Sequence, residues 1–376
     1  MTDLDLGAHL ADPATSVVVC CGSGGVGKTT TAAALALHAA EQGRSVVVLT
    51  IDPARRLAQA LGLRELDNTP RPVVGVDTTA GGSLDAMMLD MKRTFDEVVL
   101  THADPATAQQ ILDNPVYQAV SSSFAGTQEY MAMERLGQLR AQAEAEGSWD
   151  LIIVDTPPSR SALDFLDAPK RLGSFLDGRF IRLVSAPARA GGRLGARALG
   201  VGMSLATNTL GKLLGKQFLL DVSTFVAAMD TVFGGFRARA DETYRLLQAP
   251  GTRFVVVAAP ERDALREAGY FVQRLGRERM PLAGLVLNRV AVSRARISAD
   301  RARDAAELLE ESGDRHTAAV LRTHADHAEM AARHRRLIRD TAAAHPRLAT
   351  VQVPLAGADI ADLPGLRSVA EALCTP

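Results

Sequence analysis

Short apolar segments rich in β-branched residues recur along the chain, each bounded by polar or turn-forming residues. The clearest of these predict strands at Val17–Cys21, Ser45–Ile51, Leu151–Asp155, Phe254–Ala258, Leu285–Asn288 and Thr350–Val353. Helical patterns lie between several of them, for instance Lys28–Gln42 and Arg262–Leu275. Continuous apolar strands that alternate with helices are typical of a parallel sheet covered on both faces. The pattern therefore predicts an α/β fold with a mainly parallel sheet flanked by helices.

Two stretches contain no strand-like segment and have helical periodicity instead. They run from about residue 91 to 147 and from about 170 to 250, on either side of the strand Leu151–Asp155. We therefore predict one domain over 1–376, with its sheet core at about 14–90, 148–169 and 251–376 and the two stretches as an inserted α-helical subdomain. A third helical region, Ser293–His345, predicts two antiparallel helices broken near Ser312-Gly313.

The segment Gly22–Thr29 fits the phosphate-binding loop GxxxxGK[ST] in full, and it follows a predicted strand and opens a predicted helix. Lys28 would contact the β- and γ-phosphates of ATP, the Thr29 hydroxyl would coordinate Mg²⁺, and Thr30 would reach the α-phosphate. The backbone N–H groups that would face phosphate oxygens belong to Gly24, Gly25, Val26 and Gly27. This P-loop predicts a site for ATP and Mg²⁺.

Two aspartates stand at the carboxyl ends of predicted strands, where ligands of open parallel sheets bind. Asp155 closes the strand Leu151–Asp155 and would hold Mg²⁺ through water. Asp52 follows the second strand and would orient or deprotonate the attacking water. A helix N-cap is the alternative role for each aspartate.

The composition excludes several classes of protein. A formal net charge of −1 gives no reason to expect nucleic acid as a partner. The cysteines are Cys20, Cys21 and Cys374, and no CxxC pair is present to hold zinc or an iron–sulfur cluster. Neither a secretion signal nor an apolar stretch long enough to span a bilayer stands out, so we expect a cytoplasmic protein whose membrane contacts are peripheral.

Five segments follow one another along the chain, namely GSGGVGKTTT, IDPARRLAQALG, VDTPPSRSALDFL, PER and VLNR. In these segments and their order the chain resembles the arsenite-pump and tail-anchored-protein-targeting ATPase family, a group of deviant Walker P-loop ATPases. The resemblance continues through Val353-Pro354-Leu355 and so covers nearly the whole chain. It implies hydrolysis of ATP to ADP and phosphate, and two subunits that close over the nucleotides.

The same resemblance assigns individual residues. Asp52 matches the family's hydrolytic aspartate, and Asn288 matches a residue that recognises adenine. Pro354 and Leu355 would pack on the base, and Glu261 would lie near the nucleotide.

The P-loop departs from the family at its second residue. The family has a lysine there that reaches the partner subunit's phosphates, whereas this chain has Ser23, which carries no charge. One hypothesis is a hetero-dimer with a paralogous ATPase that carries the signature lysine. The other is a homodimer in which a neighbouring arginine, Arg55, Arg56 or Arg160, acts within its own chain.

Three functions remain as alternatives. The favoured one is an ATPase that uses nucleotide-driven dimer closure to handle a protein or membrane partner. The second is a nucleotide-binding regulatory subunit with weak hydrolysis of its own, paired with a catalytic paralogue. The third is a partitioning-type ATPase, disfavoured by the long helical insertion. Because arsenite binding by thiolates and a zinc-clamped homodimer both need cysteine clusters, the cysteine content disfavours both.

Two side-chain stripes have more than one interpretation. The first is apolar, and it is either core or a groove for an apolar helical client: Leu210, Leu213, Leu214, Phe218, Val222, Phe225, Val226, Met229, Phe233 and Phe236. The second is His316, His324, His327 and His334, for which a solvated helix face is favoured over metal ligation because arginines surround it.

Overall fold

A computed structural model describes residues 2–52, 56–115, 117–118, 121, 127–157, 235 and 238–375. In these residues one nine-stranded sheet has the order β1-β9-β8-β7-β2-β6-β3-β5-β4. Neighbouring strands are parallel except at the edge, where β4 runs antiparallel to β5. The strands are β1 Thr2–Asp3, β2 Val17–Cys21, β3 Ser45–Thr50, β4 Arg71–Pro72, β5 Ser83–Met88, β6 Leu151–Asp155, β7 Thr252–Ala258, β8 Leu282–Val290 and β9 Ala349–Pro354. The predicted α/β fold is confirmed.

Helices occupy the intervals between the strands. The helices that lie wholly within the described ranges are α1 Leu6–Ala11, α2 Lys28–Glu41, α3 Arg56–Ala60, α4 Met91–His102, α5 Pro105–Leu112, α6 Thr127–Glu146, α7 Arg262–Arg277, α8 Ala299–Glu311, α9 Arg315–Ala344 and α10 Leu363–Cys374. Residues 238–248 are also helical. None of these helices is both long enough and apolar enough to cross a membrane.

The centre of the sheet explains why its strands read as unbroken apolar runs. All five residues of β2 are buried, and so are all five of β6. Cys20 of β2 and Thr50 of β3 both align with Asp155 of β6. The carboxyl ends of the three strands therefore meet at one edge of the sheet, and the P-loop follows directly from β2.

The structure contains three strands that the sequence does not predict, and contacts of the histidines in Ser293–His345 that it does not predict either. The strands β1, β4 and β5 were not predicted, and β1 extends the sheet before residue 14. Two-residue strands such as β1 and β4 are too short for any periodicity to show. The predicted helical pair of Ser293–His345 is present as α8 and α9, and three of the four histidines on the favoured solvated face are partly exposed and also contact a neighbouring segment. His324, His327 and His334 contact backbone atoms of residues 291–297, and His316 is exposed.

The described residues divide into two compact units. The first takes in the described parts of Met1–Met88, Ala143–Leu163 and Leu247–Pro376, and the second those of Leu89–Gln142 and Asp164–Leu246. The whole sheet belongs to the first unit. In the second, Arg239 Nε donates to the buried carboxylate of Glu134 at 2.9 Å. The apolar stripe from Leu210 to Phe236 lies outside the described residues.

Candidate functional site

The P-loop turns sharply from β2 into α2, and its backbone needs glycine to do so. Gly25 has φ 75° and Gly27 has φ 95°, the left-handed region that L side chains rarely adopt. Gly27 is the N-cap of α2, and no side chain caps the N–H groups of the first turn. Those N–H groups and the positive end of the helix dipole favour an anion at this position.

Lys28 is held inside the loop. Its Nζ donates to the carbonyl oxygen of Ser23 at 2.8 Å, and the residue is only 6 % exposed. Burial lowers the pKa of Lys28, and the nearby carboxylates of Asp155 and Asp52 act in the opposite direction. The P-loop thus keeps a desolvated ammonium group beside the helix N-terminus, where a phosphate would neutralise it.

Asp155 is completely buried and takes two hydroxyl hydrogen bonds on one oxygen. Its Oδ2 accepts from Thr29 Oγ1 at 2.8 Å and from Thr50 Oγ1 at 2.9 Å. Its Oδ1 is buried and has no hydrogen-bond partner. Burial raises the pKa of Asp155 to about 6, although the two threonine bonds and Lys28 lower it. A buried carboxylate oxygen without a donor is suited to a water molecule of Mg²⁺.

The donor set fits Mg²⁺ rather than a softer metal. The Thr29 hydroxyl and the Asp155 carboxylate are hard oxygen ligands that lie next to each other. Among the described residues, no group of three or more His, Cys, Asp and Glu side chains could hold a metal by itself. Mg²⁺ at this place would therefore take its remaining ligands from phosphate and water.

Asp52 lies beyond the end of β3, at the same edge of the sheet. It is partly exposed, and its carboxylate is close enough to raise the pKa of Lys28. The backbone carbonyl of Asp52 is 3.5 Å from Thr50 Oγ1. The structure therefore brings Asp52, Asp155 and the P-loop to one place, as the sequence predicts for parallel strands.

Asn288 contacts the P-loop directly. Its Nδ2 donates to the carbonyl oxygen of Val26 at 2.8 Å, and its Oδ1 accepts from the backbone N–H of Arg289 at 2.9 Å. A Cβ on Gly27 would lie 2.1 Å from the same Nδ2 atom. The amide of Asn288 thus fits under the loop only because residue 27 is a glycine.

The remaining residues assigned by resemblance lie on strands and helices next to β8. Pro354 ends β9 in register with Val290, and the Leu355 N–H donates to the Val290 carbonyl at 2.9 Å. Leu355 is 45 % exposed. Glu261 is the N-cap of α7, is exposed, and makes no capping hydrogen bond with its side chain.

The serine at the second P-loop position leaves its hydroxyl without a partner. Ser23 Oγ is buried and makes no hydrogen bond, while the Ser23 carbonyl accepts from Lys28. Of the arginines considered as substitutes for the family's lysine, Arg56 opens α3 and is exposed. Arg55 and Arg160 lie outside the described residues.

Two threonines of the site were missed by sequence reasoning. Thr50 binds Asp155, and the buried Thr156 Oγ1 donates to the carbonyl of Cys20 at 2.9 Å, which ties the end of β6 to β2. The sequence signal for them is their place within two residues of the aspartates, in Thr50-Ile51-Asp52 and Asp155-Thr156.

A family model of anion-transporting ATPases matches residues 15–307 of the chain. That range is well over half of the chain and includes the P-loop, both aspartates and Asn288. The chain belongs to the anion-transporting ATPase family. The predicted family is thereby confirmed, and with it the class of P-loop ATPases.

The chain is similar in sequence to arsenical pump-driving ATPases and to a get3 ATPase, at moderate identity. The arsenical pump-driving ATPase of Acidiphilium multivorum is 32% identical over 158 residues, which are 42% of this chain and 26% of that protein. The protein of the same name from Escherichia coli is 30% identical over 158 residues. ATPase get3 of Schizosaccharomyces pombe is 28% identical over 277 residues, or 72% of this chain and 71% of that protein. The chain thus spans about a quarter of the pump-driving relatives.

Replacing Gly27 with alanine should damage the site more than the same change at Gly25. Both glycines have positive φ, so each alanine pays for a left-handed backbone, about 1–2 kcal/mol. Only the Gly27 methyl collides with Asn288, since a Cβ at Gly25 has nothing within 4 Å. Urea unfolding should therefore show a larger loss of unfolding free energy for Gly27→Ala, and ATP titration a larger loss of affinity. Equal losses of unfolding free energy in Gly27→Ala and Gly25→Ala would contradict the proposed collision with Asn288. So would a double variant Gly27→Ala/Asn288→Ala that recovers no stability relative to Gly27→Ala.

Proposed function

We propose that this chain binds ATP with Mg²⁺ and hydrolyses it to ADP and phosphate. The proposal rests on the uncapped N-terminus of α2, which places backbone N–H groups, the buried Lys28 ammonium and the Thr29–Asp155 pair around one point. Phosphoryl transfer depends mainly on positioning and on neutralising charge, and these groups supply both.

The P-loop residues would bind the triphosphate. Backbone N–H groups would cradle its oxygens, from Gly24, Gly25, Val26 and Gly27. Lys28 would move its hydrogen bond from the Ser23 carbonyl to the β- and γ-phosphates, and Thr30 would contact the α-phosphate. This exchange would relieve the desolvation of the ammonium group.

Thr29 would bind Mg²⁺ with its hydroxyl, and Asp155 would hold a water of its shell. Mg²⁺ in such a site supplies positive charge that the β- and γ-phosphate oxygens need during transfer. Thr50 would keep Asp155 oriented when Thr29 turns from the carboxylate to the metal, because it binds the same carboxylate oxygen.

Asp52 would place the attacking water and accept its proton. Its position beyond β3, partly exposed and close to Lys28, leaves the carboxylate accessible to solvent. Asn288 would recognise adenine, with Pro354 and Leu355 against the base and Glu261 near the nucleotide. The half-exposed Leu355 offers the apolar surface that a base needs.

Single-turnover hydrolysis of radiolabelled ATP by the purified chain, with and without Mg²⁺, tests the proposal. We expect one equivalent of ATP to bind per chain and to be converted to ADP only when Mg²⁺ is present. Absence of ATP binding by calorimetry, or hydrolysis that does not depend on Mg²⁺, would overturn it.

Ser23 favours a second candidate, a nucleotide-binding subunit with weak hydrolysis that pairs with a catalytic paralogue carrying the signature lysine. The Ser23 side chain is uncharged and its hydroxyl is buried, so it adds no positive charge across a dimer interface. A homodimer would need another cation, such as the exposed Arg56.

Ser23→Lys should raise the hydrolysis rate of the purified chain if it forms homodimers that lack a cation. The expected gain is roughly 10²-fold, the magnitude of one charged or hydrogen-bonding group at a transition state. Ser23→Ala is the matched control and should leave ATP binding and turnover close to wild type. An unchanged rate in Ser23→Lys together with loss of turnover in Arg56→Ala would favour the arginine acting within its own chain.

Arsenite is not the anion that we propose as a partner. Binding to arsenite requires thiolates, and burial raises the pKa of Cys21 and of Cys374 to about 12 and that of Cys20 well above its usual value. These three residues are all the cysteines of the chain. We propose instead that dimer closure acts on a protein or membrane partner from the cytoplasm, through the helical subdomain at about 91–147 and 170–250.

A further inference from the structure

Residues 291–297, which we call the post-β8 segment, are held by histidines of α9. His324 Nε2 lies 3.0 Å from the carbonyl oxygen of Ile297, and His327 Nε2 lies 3.1 Å from that of Val292. His334 Nδ1 accepts a hydrogen bond of 3.0 Å from the backbone N–H of Ala291. The three histidines share one face of the helix, because their spacing follows its turns.

His334 differs from the other two in the chemistry of its contact. A carbonyl oxygen can only accept, so His324 and His327 serve as donors whether neutral or protonated. The Ala291 N–H can only donate, so His334 must present a ring nitrogen without a proton. The contact at His334 therefore exists only with a neutral imidazole.

Ala291 is three residues along the chain from Asn288, the residue that contacts the P-loop. Between them, the Val290 carbonyl accepts from Leu355, and the Arg289 N–H donates to Asn288 Oδ1. Arg289 has φ 59°, a left-handed conformation that a non-glycine residue adopts only when its surroundings hold it there. Asn288 in turn donates to the Val26 carbonyl in the P-loop.

We propose that His334 is a positioning residue for nucleotide binding, whose neutral imidazole fixes Ala291 and thereby Asn288 and the P-loop, and which releases them when it is protonated. The inference rests on the proposed function and adds to it a dependence on proton concentration.

The surroundings of His334 set the direction of this dependence. Burial lowers the pKa of His334 from its usual 6.5, Arg333 and His327 lower it further, and Glu261 at the start of α7 raises it. Because the folded pKa is the lower one, the unfolded chain takes up the proton first as pH falls. The stability that the neutral ring contributes is complete above pH 6.5 and declines below it.

The test compares ATP affinity of the nucleotide-free chain between about pH 5 and 8 for wild type, His334→Asn and His334→Ala. Asparagine offers an oxygen near the position of Nδ1 that accepts from Ala291 without titrating. Since ATP itself takes up a proton in this range, the informative quantity is the ratio of wild-type to His334→Asn affinity at each pH. We expect that ratio to fall roughly three- to tenfold on acidification, as for loss of one hydrogen bond. His334→Ala should be weak throughout.

A second readout needs no nucleotide. Hydrogen exchange at the Ala291 amide, compared at equal pH, should be faster in His334→Ala than in wild type, and in wild type it should approach the His334→Ala rate at acid pH. His316→Asn, an exposed histidine of the same helix, is the control and should match wild type in both measurements. A wild-type to His334→Asn ratio that stays constant with pH, or Ala291 exchange unaffected by His334→Ala, would refute the inference. Failure of ATP to bind at any pH, with exchange behaving as expected, would instead refute the proposed function.

Discussion

Lys28→Ala is expected to abolish ATP binding and hydrolysis without destabilising the nucleotide-free protein. Lys28 is the buried cation of the P-loop, and its ammonium group is the one that would meet the β- and γ-phosphates. Turnover should fall at least about 10²–10³-fold, the effect of removing one group that stabilises transition-state charge. Single-turnover hydrolysis and the shift in Tm caused by ATP with Mg²⁺ measure the two losses.

The stability of Lys28→Ala separates a functional role from a structural one. Because burial lowers the pKa of Lys28, the fold disfavours its charge relative to water, even with Asp155 and Asp52 nearby. Because Lys28→Ala removes this desolvated charge together with its hydrogen bond to the Ser23 carbonyl, the variant should unfold at a Tm close to that of wild type when no nucleotide is present. Lys92→Ala, which removes an exposed partner of Asp96, is the control and should leave ATP binding unchanged. A Lys28→Ala protein with a lower Tm and normal ATP affinity would contradict the assignment.

Asp52→Asn is expected to stop hydrolysis while ATP still binds. The amide keeps the size of the side chain but removes the base that would take the proton of the attacking water. The loss in the hydrolysis rate should be about 10²–10⁴-fold, the usual contribution of a positioned general base.

Measuring ATP affinity and hydrolysis rate separately shows whether Asp52→Asn affects binding or catalysis. ATP affinity by calorimetry should stay within a few-fold of wild type, since the phosphate-binding groups of the P-loop are untouched. Asp77→Asn alters an exposed carboxylate that accepts hydrogen bonds from the backbone N–H and the side chain of Thr79, and it serves as the control. Normal single-turnover rates in Asp52→Asn would assign the proton to another acceptor.

Those parts of the site could be predicted that depend on a continuous sequence motif or on the general geometry of parallel sheets. The P-loop is a continuous segment, and parallel strands bring their carboxyl ends together, so Asp52 and Asp155 were expected beside it. The contact between Asn288 and Val26 joins residues 262 positions apart. The contact depends on β8 and β2 both lying next to β7, and the order of strands in a sheet cannot be predicted from the residues of β8 or β2.

Features that depend on how helices and strands pack against one another could not be predicted from the sequence. Strand β5 contains Ser83 and Asp85, whose polarity obscures a strand, and the Asp85 carboxylate is satisfied by the indole N–H of Trp149 at 2.8 Å. The spacing of the histidines of α9 indicates only that they share one face of the helix. Nothing in that spacing reveals that residues 291–297 lie against this face.

Strand β1 has a practical consequence for attaching the protein to a surface or a fluorophore. Thr2 pairs in parallel with Ala349, the first residue of β9, so chain added before Thr2 leaves from the amino edge of the sheet. The P-loop and the two aspartates are at the opposite, carboxyl edge. Helix α10 ends at Cys374, whose carbonyl oxygen would lie 2.7 Å from a Cβ on Gly7 of α1, close to the same amino-terminal segment. A tether attached before Thr2 or after Cys374 would thus lie at the edge of the sheet opposite the P-loop and the two aspartates.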